Sequence, residues 1–450
     1  MKMTIVYILA AAASFGGAGR AYPGSLESVV TQQVDVVMVD SLSEAPTLAE
    51  YAGFALGHNR DLASKYALWE AATARGDVAG ALPDPRFTWS EAIEPIETRV
   101  GPQQRILAIT QQIPWFGTLG IRREIEGEKS LMARARFDAT ALEVLNEVRT
   151  AYHELSYLER GIETAQNHLG LLIQWEKSAR SRYETGAGPF APVVKSQVEI
   201  GSLENRLAAL RDRRRPLTAR LNAALGRAAD APVHIGTDDR DPGPLDLTDL
   251  QSRLRQFNPH LILLDHQAAG DLKAGRLASK GRYPGLSLGF NYIQIGPARM
   301  QGVPDSGRDA MSATVGISLP LWQGSYAAAE KEADGRYRAT EHQKADLANR
   351  LSTQLEQAVF EYDDARRRSA LYRDALLPKS RQVLAAVRSA YETGETGFLD
   401  LIDAERVLLE FELAAHRATT DLKISLAAID TLVGGRFYAA AVTIPGQREE

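Results

Sequence analysis

The chain is written twice, and that duplication limits the folds open to it. Tyr183-Glu184-Thr185-Gly186-Ala187-Gly188 returns 208 residues later as Tyr391-Glu392-Thr393-Gly394-Glu395-Thr396-Gly397. The same offset pairs Ala151-Tyr152 with Val359-Phe360, and Leu225-Gly226 with Val433-Gly434. An offset of 206 pairs Ile113-Pro114-Trp115-Phe116-Gly117 with Leu319-Pro320-Leu321-Trp322-Gln323-Gly324, and one of 199 pairs Asn59 with Asn258. A duplication of this size means two similar structural halves, and any function must use both.

Each half has one order: a helical run, a Pro/Gly-marked stretch, two short strand-like runs, a very long helix, a glycine-containing tip and a second long helix. In the first half the opening helix spans roughly Thr47 to Gly80, and strands are expected near Arg86–Ala92 and Arg105–Ile113. A helical pattern then runs from about Thr118 to Glu184, or ~100 Å at ~1.5 Å per residue, a length that implies a coiled coil or bundle. In the second half strands are expected from Leu286 to Ile293 and from Ser312 to Leu321, and the long helix from about Gly324 to Glu392. The domain reading is a signal peptide at 1–21, a first repeat at 22–227, a linker at 228–244, a second repeat at 245–434 and a tail at 435–450.

The helix after each tip carries a heptad seam. Leu401, Leu408, Ala415, Leu422 and Ile429 recur every seven residues, with Ala404, Phe411, Ala418, Ser425 and Leu432 three residues after each. The first half repeats the seam from Val193 and Ser196 onward, broken mainly at Arg214.

Exclusions come from composition. A net charge of −5, and about −7 once Lys2 and Arg20 leave with a signal segment, gives no electrostatic footprint for nucleic acid. The absence of cysteine excludes disulfides, thiolate metal sites, a Cys nucleophile and a lipid anchor on Cys. Lys2, the apolar run Ile5–Phe15 and Gly19-Arg20-Ala21 read as a secretory signal. No later stretch approaches the ~20 apolar residues of a membrane helix, so an exported chain of this kind meets a membrane with strands or by surface contact.

The strands supply a period of two. Ala313, Val315, Ile317 and Leu319 alternate with Ser312, Thr314, Gly316 and Ser318, and Leu286, Leu288, Phe290 and Tyr292 with Ser287, Gly289 and Asn291. Four such runs in an exported chain fit a barrel with its apolar face to lipid. Four strands are too few to close a barrel that leaves a channel, so several copies must pool them.

On these features the chain resembles the TolC-like outer-membrane efflux channels. The resemblance covers essentially the whole mature chain. Its marks are Leu319-Pro320-Leu321-Trp322 with Gly324, Tyr391-Glu392-Thr393-Gly394 leading into Phe398-Leu399-Asp400-Leu401-Ile402-Asp403-Ala404-Glu405, and Asn258-Pro259-His260-Leu261. It implies a mainly α fold with a small β part. A long antiparallel coiled-coil barrel in the periplasm would join a transmembrane β-barrel to which each protomer of a homotrimer gives four strands. It also implies a passive conduit with no catalytic residues and no cofactor, located in the cell outer membrane. The partners would be outer-membrane lipid, a periplasmic adaptor and an inner-membrane pump of RND type. Gln112-Ile113-Pro114-Trp115-Phe116-Gly117 looks most like the CzcC-like, heavy-metal branch.

Asp400 and Asp403 share a helix face just past the second tip. The resemblance implies a ring of carboxylates at the narrow periplasmic entrance. The alternative is solvated acids at a helix start, which the helix dipole favours. Their first-half counterparts are Pro192 and Lys195, and Thr396 stands where some relatives carry an arginine that braces the closed gate. Tyr183-x-x-Gly186 and Tyr391-x-x-Gly394 read as reversals between helices, and the resemblance makes these tips adaptor-contacting. Two rival readings are a soluble periplasmic coiled-coil adaptor, and a hydrolase using Ser287 within Gly285-Leu286-Ser287-Leu288-Gly289. The eight histidines do not cluster, so no metal site is expected.

Overall fold

Thr47 opens the helical part of the chain. Its hydroxyl accepts from Glu50 N while the Glu50 carboxylate accepts from Thr47 N, a reciprocal cap. The computed structural model describes residue 39 and residues 41–236 and 243–435. The expected signal segment and the tail beyond 435 lie outside the described residues.

The elements run α1 Leu48–His58, α2 Arg60–Gly80, β1 Arg86–Thr98, β2 Gly101–Ile113, α3 Thr118–Glu184, α4 Ala191–Ala224, α5 Leu247–Phe257, α6 Pro259–Lys280, β3 Gly285–Ile295, β4 Ala310–Ser318, α7 Gln323–Leu371, a π-turn Tyr372–Leu376, α8 Leu377–Thr393 and α9 Phe398–Leu432. The first long helix, α3, has the expected bounds. The expected opening helix is instead two, because Asn59 is extended and caps α2 with its side chain. The strand expected to reach Leu321 ends at Ser318, before the proline of Leu319-Pro320. The second long helix is interrupted by the π-turn just ahead of Pro378.

The four strands form one antiparallel sheet in chain order, so β2 and β3 join the two repeats. Register sorts its faces. Phe87, Ile109, Phe290 and Ala313 share one row, and Trp89, Leu107, Tyr292 and Met311 the next on the same face. Thr88, Ala108, Asn291 and Ser312 form a row on the opposite face. Phe87, Trp89, Leu107, Ile109, Phe290 and Met311 are all exposed within the single chain. No described helix is long and apolar enough to cross a membrane.

Below the sheet, α3 packs against α2, α4, α6 and α9, and α9 packs against α3, α7 and α8. Each repeat has a core at its own mid-section. One joins Tyr51, Val148, Tyr152 and Leu221, and the other Leu254, Leu355, Tyr362 and Ile429. A third core, with Leu172, Val193 and Leu203 of the first hairpin against Phe398, Leu401 and Leu409 of the second, holds the hairpins together. The break foreseen at Arg214 is real: its guanidinium leaves the seam and pairs with Glu159 at 3.1 Å.

Candidate functional site

Both tips turn by the same geometry. Gly186 has φ 72° and Gly394 has φ 84°, left-handed values that glycine adopts without strain. Gly186 N donates to Tyr183 O and Ala187 N to Arg182 O, while Gly394 N donates to Tyr391 O and Glu395 N to Ala390 O. These bonds satisfy the last carbonyls of α3 and α8. Each tip tyrosine also meets a ring across its turn: Tyr183 with Phe190 at 4.9 Å, and Tyr391 with Phe398 at 5.4 Å. The two phenylalanines are a further pair at the 208 offset, a signal present in the sequence that the motif reading passed over.

The tips also touch each other. The Arg182 guanidinium lies over the Tyr391 ring, 5.0 Å from its centre, a cation–π contact from the first hairpin to the second. Tyr183 is exposed, whereas Tyr391 is half-buried by this contact and by Phe398.

Asp400 and Asp403 lie on the exposed face of the first turns of α9, beside the buried Leu401 and Ile402. The Asp400 carboxylate accepts from Thr396 Oγ1 at 2.6 Å and from Gly397 N at 3.1 Å. The Thr396 hydroxyl foremost, then the Gly397 N–H, hold its pKa below the usual aspartate value, so it stays ionised. Asp403 faces Arg406 at 3.2 Å, with 63% of its side chain exposed. Thr396 therefore fastens the acid to its own turn rather than bracing one hairpin against another. The counterpart Lys195 lies 3.5 Å from Glu199. Among the described residues no group of three or more His, Asp or Glu is placed to hold a metal ion.

Over residues 53–227 and 251–435 the chain matches the family of outer membrane efflux proteins. It belongs to that family. No curated protein matches it. Among solved structures, the outer-membrane channel OprN is similar at TM-score 0.73 and 19% identity, covering 91% of this chain and 96% of that one. VceC from the bacterial pathogen Vibrio cholerae is similar at TM-score 0.70 and 19% identity, over 86% of this chain and 96% of that one. CusC is similar at TM-score 0.71 and 16% identity, over 88% and 94%. At these identities the likeness is one of fold, and the family match gives the function: an outer-membrane efflux channel of the kind that serves tripartite pumps.

The rival readings give way on geometry. An adaptor carries one hairpin, whereas this outer membrane efflux protein has two, joined to a four-stranded sheet. Ser287 sits inside β3, paired with Gln112 and Gly316, and no helix starts there to make a nucleophile elbow.

Proposed function

We propose that three copies of this chain close one passive conduit, and that Asp400 and Asp403 ring its narrow periplasmic end. An adaptor would engage the tips around Tyr183, Gly186, Tyr391 and Gly394, and an inner-membrane pump of RND type would supply the energy. The observation that carries this reading is the sheet. It has an apolar exposed face, a small polar face, and two edges, β1 and β4, that pair with no strand among the described residues. Three such sheets joined edge to edge give twelve strands, enough to leave an aqueous lumen.

The likeness of Gln112–Gly117 to the heavy-metal branch supports metal ions as cargo. The exposure of both acids and the lowered pKa of Asp400 support the ring, because charge gathered on an axis attracts cations into a constriction. Arg406 offsets part of the charge of Asp403, which makes Asp400 the stronger member.

The test is single-channel recording in planar bilayers with crosslinked, purified trimers. Block by a trivalent cation added at the tip side should weaken about tenfold or more in the Asp400→Ala, Asp403→Ala double variant. Unchanged block would remove these residues from the constriction. Crosslinking that stops at the monomer would remove the shared channel.

A further inference from the structure

A buried ionisable cluster sits where the two hairpins meet, just beyond the acidic face of α9. The His168 side chain on α3 is 5% exposed and lies between two carboxylates of α9. Its Nδ1 is 2.6 Å from Glu405 Oε1, and its Nε2 is 2.9 Å from Glu412 Oε2. Glu405 is 2% exposed, and neither of its oxygens has a well-aligned hydrogen bond, so the charge of the imidazolium is what compensates it. A buried carboxylate deprived of its cation is strongly unfavourable.

The other elements around this cluster contribute charge as well. Arg381 on α8 donates to Glu412 at 2.9 Å. On α4, Glu199 and Arg206 line a cleft of about 90 Å³ beside His168, and Arg206 is paired with Glu410 of α9. Burial pulls the His168 pKa down, but Glu405 and Glu412 outweigh it and push the value up to about 9. The Glu412 carboxyl is held at about 2, chiefly by His168 and then, against burial, by Arg381.

We propose that His168 is a positioning residue of the gate: by holding Glu405, it fixes α9 against α3 two residues beyond Asp403 and so sets the resting place of the Asp400–Asp403 turn. This rests on the reading of that turn as the constriction. A helix is stiff over such a distance, so a displacement at Glu405 reaches Asp403 undiminished. The apolar contacts around the cluster, Leu172 against Ile402 and Leu409, tolerate sliding, whereas a histidine clasped between two carboxylates does not. Nearer the mid-section, Arg417 of α9 still binds Glu154 of α3 at 3.0 Å and His416 meets Thr164 at 3.2 Å. Releasing His168 therefore frees the tip end of α9 without detaching the helix.

The His168 pKa is raised from 6.5, so the clasp is fully present below that value and is lost as pH rises through about 9. In bilayer recordings of full-length trimers titrated from neutral pH to beyond the ordinary lysine value of about 10.4, open probability should rise as pH passes about 9. His168→Gln should conduct several-fold more at neutral pH and lose the alkaline rise. His168→Lys should stay closed at neutral pH and move the rise upward, toward the ordinary lysine value of about 10.4. Should His168→Gln fail to assemble, Glu405→Gln decides instead, because the rise should then move to lower pH. A wild-type pH profile in the variant that assembles overturns the proposal, even if that variant melts earlier. Trivalent-cation block in the same trimers separates the two readings. Block indifferent to Asp400 and Asp403 overturns the ring alone, and a pH profile indifferent to His168 overturns the clasp alone.

Discussion

Asn59 and Asn258 each hold a helix start against the far end of their own repeat. Asn59 caps α2 by accepting from Leu62 N at 3.0 Å and donates to Ala224 O at 2.9 Å. Asn258 accepts from His260 N at 3.0 Å and donates to Leu432 O at 2.9 Å. The glycines that follow make room for this contact: a Cβ on Gly226 would fall 2.5 Å from His58 O, and one on Gly434 2.5 Å from Phe257 O. The sequence displayed both asparagines and both glycines as repeated pairs. That they meet was not legible, because the contact closes over 165 residues in one repeat and 174 in the other. Asn258→Ala should cost about 2–3 kcal/mol, about 1 from the cap and the rest from an unmet buried carbonyl. Asn258→Ser keeps a capping acceptor but cannot reach Leu432, and should lose about half of that. Thermal melts of the detergent-extracted protein check both, and a wild-type melt for the serine variant would show that the tie to Leu432 contributes nothing.

At the scale of the element, the two long hairpins are unequal copies. The first has an unbroken α3, and the second has the π-turn Tyr372–Leu376 with Pro378 two residues beyond it. Proline lacks an N–H and its ring clashes with the carbonyl four residues back, and a widened turn relieves both problems. At the 208 offset, Pro378 corresponds to Gly170, which lies inside α3 with open space around its Cβ position. Gly170→Pro should therefore destabilise by about 3 kcal/mol, since no widened turn is there to receive it. Pro378→Ala should melt at or above wild type, and a drop comparable to that of Gly170→Pro would refute the link between proline and π-turn. The heptad reading was legible along α9 because Leu401, Leu408, Leu422 and Ile429 are buried as it required. It could not show the second stripe, Ile402, Leu409 and Leu413, by which the same helix also packs on α3. A seven-residue repeat marks one partner, whereas α9 packs on α3 as well as on α7 and α8 of its own hairpin. His168 and its carboxylates lie on that second stripe, and His168 has Leu376 as its counterpart in the other repeat, so neither repetition nor periodicity pointed to them.

At the scale of the whole molecule, the sheet decides where the chain can live. From Ile113, Leu286 and Ile317 to Trp89, Leu107, Tyr292 and Met311, one face is apolar apart from Gln111, and the next pair on it is the ion pair Arg105–Glu91 at 3.1 Å. The eight residue-to-residue steps from Arg105 to Ile113 span ~27 Å along β2 at ~3.4 Å each, and a strand tilt of ~40° brings the height to ~20 Å. Trp115, Phe116, Leu319 and Trp322, just below the strands, add an aromatic and aliphatic margin at the helical end, with the Trp115 ring stacked on Tyr283 at 5.2 Å. The alternation was legible for β3 and β4, but the joining of β2 to β3 across the repeats was not, because it depends on which strands become neighbours in space. Adjacent residues on β3 give the sharpest check of the faces. Phe290→Arg puts a charge in the middle of the apolar band and should cost about 2–4 kcal/mol per chain, tripled in a trimer, with little heat-resistant trimer recovered from outer membranes. Asn291→Arg, one residue along on the polar face, should assemble normally and change conductance instead. The reverse pattern would mean that the lumen and lipid faces are exchanged, since moving one residue along a strand changes face but hardly changes depth.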